Sequence, residues 1–153
     1  MSTHPRFDSR SLRPIDAPYE WGFDALPRER LAALKCCLDS VDDLDAERWL
    51  RIGREATAHC GRTDDWRGAR ARLERVITAE RLVFASLFVY DALDAAAESI
   101  LLAAHLRDQQ TCAAVHAARD VLYYVLMAVA VRDRLDASDY GALSACCRTS
   151  IST

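Results

Sequence analysis

The stretch LVFASLFVYDALDAAAESILLAAHL, residues 82–106, is interrupted by only three carboxylates, Asp91, Asp94 and Glu98. A helix that is apolar nearly all round has to be enclosed by other helices, so this segment predicts a central helix. After it, Arg107 to Thr111 is polar enough to turn the chain, and Asp108 or Thr111 can cap the next helix. That second apolar helix, from about Cys112 to Arg134, then packs back on the first as a helical hairpin.

Outward from this pair the pattern becomes amphipathic. Trp66, Ala69, Leu73, Val76 and Ile77 recur at three and four residues, with Arg on the opposite face, and Thr63, Asp64 or Asp65 can cap that helix. Before it, Asp45 caps a helix carrying Trp49, Leu50 and Ile52 that stops at Gly61. Asp39 to Asp45 reads as a turn. The earliest helix is capped by Asp24, has Pro27 in its first turn, and runs to about Leu38 with Leu31, Leu34 and Leu38 on one face. A short last helix opens at Asp136 or Ser138 and continues through Cys147. Neither alternating hydrophobicity nor an Asn-Gly hairpin turn occurs, and the chain has five glycines. The expected fold is therefore all-α: a single-domain bundle of five or six helices with the two apolar helices at its centre. Residues 24–150 form the bundle. Residues 1–23, with three of the four prolines and no period, form an extended arm laid over it by Tyr19, Trp21 and Phe23.

Composition narrows the function classes. At 153 residues and 51% hydrophobic, the chain is long enough for one continuous core and too short for a second domain. With 28% charged residues and a net charge of −3, the overall balance implies neither a nucleic-acid surface nor a disordered acidic tail. Nineteen arginines against the single Lys35 reflect the bias of a GC-rich bacterial genome. Met1 to Pro18 has Arg6, Arg10 and Arg13 but no apolar core, so no secretory signal is expected. The runs Leu82 to Tyr90 and Val121 to Val131 fall short of the roughly 20 residues of a membrane span. A cytoplasmic protein with six reduced, mostly buried thiols is the expectation, the adjacent pairs Cys36-Cys37 and Cys146-Cys147 serving as small packers.

The stretches Leu73-Glu74-Arg75-Val76-Ile77 and Val89-Tyr90-Asp91-Ala92-Leu93-Asp94-Ala95-Ala96 are followed by Leu101-Leu102, the polar turn Arg107 to Gln110, and Val121-Leu122-Tyr123-Tyr124-Val125. Over roughly residues 70–130 this order resembles the YjaG-like family of uncharacterised helical bacterial proteins. The resemblance implies an all-helical bundle and no assigned activity.

Two constellations could carry chemistry. On one continuous helix His105, Gln109, Cys112 and His116 would fall on one stripe, and Cys112 and His116, four apart, have the spacing of two metal ligands. No fourth ligand is indicated, so no cofactor is expected. Asp91, Asp94 and Glu98, spaced three and four apart, place three carboxylates on one helix face that could hold a divalent ion or tune a general acid. A second acidic motif on another helix, needed to clamp a metal and diphosphate, is missing. Charge is also segregated: Asp39 to Glu47 carries five acids and no base, which makes Asp42, Asp43, Asp45 and Glu47 the expected steering surface for a basic partner. These features favour a small acidic helical protein-interaction module, a toxin-neutralising immunity protein being one concrete form, that binds a protein with a basic surface. It binds neither nucleic acid nor membrane, and a homodimer is a further option. The alternative is a ligand- or metal-handling helical-bundle enzyme using His105, Cys112 and His116 or the Asp91/Asp94/Glu98 face.

Overall fold

The computed structural model describes residues 23–60, 63–103 and 108–147. The expected arm and His105 thus lie outside the described residues, except for Phe23, which is fully buried and meets Phe88 edge-on with ring centroids 6.2 Å apart. The described residues form six α-helices with short 3-10 and π segments and no strand. They are α1 (Arg28–Asp42), α2 (Ala46–Glu55), α3 (Asp64–Ala79), α4 (Val83–Ala103), α5 (Gln109–Ala130) and α6 (Ala137–Ser144).

Three of these helices start where a side chain accepts from their exposed N–H groups. Asp45 Oδ1 takes the Arg48 N–H at 2.8 Å, Thr63 Oγ1 takes that of Trp66 at 3.1 Å, and Asp108 Oδ1 takes that of Gln110 at 3.1 Å. Of the two caps possible for α5, Asp108 is the one used, and Thr111 donates its hydroxyl to the same carboxylate at 2.6 Å. The helix therefore begins three residues earlier than Cys112. The turn expected over Asp39 to Asp45 is shorter than its acidity suggested. Leu34, Cys37, Leu38 and Val41 form one buried stripe, which carries α1 on to Asp42 and leaves Asp43 to Asp45 as the link.

Tyr90 packs on Tyr123 at 5.7 Å and Asp94 pairs with Arg119 at 2.8 Å, so four residues forward on α4 match four back on α5. The two helices form the antiparallel hairpin read from the sequence, but its arms are not equally enclosed. α5 packs on α1, α2, α3, α4 and α6, and every residue from Val125 to Val131 is buried. Among the described helices α5 is also the one long and apolar enough to cross a membrane, yet 56% of its most apolar window is buried within the bundle. α4 packs chiefly on α5 and leaves Phe84, Leu87 and Leu102 exposed.

Cys37 and Cys147 are buried thiols; burial, with Cys36 adjoining, raises the first to about 11, and burial raises the second to about 12. Cys36 and Cys112 are thiols as well. Cys60 overturns the expectation of six reduced thiols, because it is disulfide-bonded. It ends a π segment, Ala56–Cys60, that continues α2 and packs against the 3-10 turn Ala145–Cys147.

Candidate functional site

A cleft of about 600 Å³ lies between the π segment and helices α3, α4 and α5. Its aromatic wall begins with Trp66, placed in the first turn of α3 by the Thr63 cap. Tyr124 of α5 meets the indole edge-on, centroids 5.5 Å apart. One turn beyond Trp66, Arg70 lays its guanidinium carbon 5.4 Å from the Trp66 centroid and 5.9 Å from that of Tyr124, a cation–π arrangement with both rings. On the opposite side Arg119 of α5 lies 5.1 Å from the Tyr90 centroid.

The two arginines differ in charge balance. Arg119 is largely buried and bridges two carboxylates, Asp94 Oδ1 at 2.8 Å and Asp120 Oδ1 at 3.0 Å. Burial acts to lower its pKa, and the two carboxylate bonds overcome that and raise it, so Arg119 is a fixed, neutralised cation. Arg70 has no carboxylate partner among the described residues. Its Nε–H is buried without an acceptor, and so is the Nε1–H of Trp66, itself 5% exposed. A buried donor left unmatched costs roughly 1–3 kcal/mol. Trp49 shows the usual arrangement instead, its indole N–H donating to the Val115 carbonyl at 2.9 Å. Tyr124 donates its hydroxyl to Glu74 Oε2 at 2.9 Å, and burial, with that carboxylate beside it, pushes the phenol well above its ordinary range. Thr57, on the π segment at the cleft edge, turns its hydroxyl back to the Gly53 carbonyl at 2.9 Å.

The residues singled out by spacing lie elsewhere or are divided. Of the three carboxylates on α4, Asp94 turns inward to Arg119, whereas Asp91 and Glu98 are exposed. Cys112 is half-buried and His116 exposed, four apart on α5. Among the described residues no three His, Cys, Asp or Glu side chains gather as a ligand set. In the acidic segment, Asp42 ends α1, Asp43 follows it, Asp45 caps α2 and Glu47 lies in its first turn. Asp43, Asp45 and Glu47 are exposed and Asp42 is half-exposed.

Sequence spacing could not assemble the cleft, since Trp66, Tyr90 and Arg119 come from three helices and become neighbours only through packing. Compared with protein-family profiles, with curated proteins and with solved structures, the chain shows no match in any of the three.

Proposed function

We infer that the protein is an interaction module that docks a basic amphipathic segment of another protein on the outer face of α4. The observation that carries this reading is a single stripe along that helix. Phe84, Leu87, Asp91, Glu98 and Leu102 are separated from Phe84 by 3, 7, 14 and 18 residues, each close to a whole number of turns. All five are exposed, Phe84 to 70% and Leu102 to 72%. Isolated exposed apolar side chains need no explanation, but Phe84 and Leu87 side by side, with Asp91, Glu98 and then Leu102 on the same face, do. α4 contains no basic residue, so the complementary surface is apolar and positively charged, as on a helix bearing Leu and Arg on one face.

The acidic segment Asp42, Asp43, Asp45 and Glu47 remains a steering surface in this reading. It adds charge without apolar area, and charge sets encounter rate more than affinity. A toxin-neutralising immunity protein is the concrete form this reading takes. The test uses a labelled amphipathic peptide of Leu and Arg and its Leu/Glu counterpart, measured by fluorescence anisotropy with sedimentation velocity alongside. Wild type should bind the basic peptide and reject the acidic one, and the double variant Phe84→Ser/Leu87→Ser should lose binding by about tenfold or more while keeping its fold. Undiminished binding by the double variant would remove α4 as the docking face. A wild-type dimer that the same substitutions dissolve would show that a second copy covers the stripe instead.

A further inference from the structure

The apolar and positively charged surface that the outer face of α4 calls for occurs in this chain's own sequence. Residues 4–13, HPRFDSRSLR, carry Arg6, Arg10 and Arg13 against the single Asp8, with Phe7 and Leu12 between them, and Tyr19 and Trp21 follow nearer the bundle. These residues lie outside the described ones, but the residue they lead into does not. Phe23 is fully buried and meets Phe88 of α4 edge-on, ring centroids 6.2 Å apart. Phe88 is four positions beyond Phe84 and so stands about 40° round the helix from it, at the border of the exposed face. At that border Val83, Phe84 and Leu87 are exposed together. The chain before Phe23 therefore departs from beside the apolar end of the face. Its reach suffices for the rest: Leu102 is about 21 Å along α4 from Phe88, and residues 1–22 can span up to about 70 Å.

We propose that residues 1–22 fold back over the outer face of α4, and that a docking partner has to displace them. The proposal rests on the docking reading above and adds the regulation of that same face. Tyr19 and Trp21, close in sequence to the Phe23 anchor, cover Phe84 and Leu87, and the arginines pair with Asp91 and Glu98. Pro5, Pro14 and Pro18 interrupt any continuous helix, so the covering segment is extended. Tethering holds it at an effective concentration on the order of 1 mM. A segment whose own Kd for the face is ~0.1 mM then occupies it about nine-tenths of the time and weakens a partner's apparent affinity about tenfold. The apolar face is thereby shielded from chance association, while a better-matched helix still gains entry.

The test uses the full chain with the photo-cross-linker p-benzoylphenylalanine in place of Phe84, of Leu102, or of Ala71, an exposed residue of α3 that serves as the control. After irradiation of dilute protein, digestion and mass spectrometry should find the positions at Phe84 and Leu102 joined to residues 1–22 of the same chain, and the position at Ala71 not. Products that join two chains, products that leave out residues 1–22, or equal capture at Ala71 overturn the proposal. In parallel, Phe7→Ser/Leu12→Ser/Trp21→Ser should bind the labelled Leu/Arg peptide about tenfold more tightly than wild type does. Net charge is the same in this variant, so added electrostatic attraction does not account for the gain. A peptide that loses binding in Phe84→Ser/Leu87→Ser, and so docks on α4, yet binds the arm variant no more tightly, overturns the displacement and leaves docking intact. A peptide that binds neither wild type nor the arm variant overturns docking, while the cross-links still establish the cover.

Discussion

Arg81 stands in the left-handed region, at φ 60, between α3 and α4. Its N–H donates to the Thr78 carbonyl at 3.1 Å and the Leu82 N–H to that of Ile77 at 2.9 Å, the double closure of a Schellman turn, with Ile77 and Leu82 both buried beneath it. That position favours glycine, since a side chain there strains the backbone. Arg81→Gly should therefore raise the unfolding free energy by about 0.5–1 kcal/mol in urea titration, net of the freedom glycine adds to the unfolded chain. A loss of stability would mean that the arginine side chain makes a contact worth more than the strain. The turn was poorly legible in the sequence for the same reason: no Gly, Asn or Pro marks it, and only the change of pattern at Leu82 signals that α3 has ended. Trp66 is a parallel case. Its spacing with Ala69, Leu73 and Ile77 correctly placed it on the buried face of α3, but the same spacing gave no hint that its indole N–H lacks an acceptor.

At the scale of elements, α2 and α5 come into backbone contact at Gly53 and Ala114. A Cβ placed on Gly53 would overlap the Ala114 carbonyl oxygen, which is fixed backbone and cannot give way. Gly53→Ala should thus destabilise the protein by about 2–3 kcal/mol, although alanine is the better helix former by about 1 kcal/mol. Gly141, in α6, has open space where its Cβ would be, so Gly141→Ala should stabilise by up to about 1 kcal/mol and serves as the control. Equal responses to the two substitutions in chemical denaturation would show that α2 and α5 do not approach so closely. The helices themselves were legible because capping residues and apolar stripes act locally. How tightly two of them pack was not, because it depends on the small residues Gly53 and Ala114 meeting across about sixty positions of sequence.

For the molecule as a whole, one ion pair ties the late helix α6 to α3. Asp139, 5% exposed, accepts from Arg72 Nε at 2.7 Å and Nη2 at 2.8 Å, and the Arg72 bond holds its carboxyl below the ordinary 3.8. A depressed carboxyl stabilises the fold fully above its unfolded pKa, and that contribution is lost as pH falls through the lower folded value. Stability should accordingly decline below about pH 4, and Asp139→Asn should flatten that decline while lowering Tm near neutrality by about 2–4 °C. An unchanged acid profile in the variant would exclude this pair as the source. The arrangement of helices around α5 also bears on how the chain is made. α1, α2 and α4 each find their principal partner in α5, and α3 finds its own in α6. Synthesis runs from the other end at about 5–20 residues per second, so α1 leaves the ribosome on the order of ten seconds before α5 is complete. During that interval Trp49, Leu73 and Phe88 lack the helices that bury them in the finished fold. Helices α1, α2 and α4 thus wait for α5, and the core can close only after that helix has emerged.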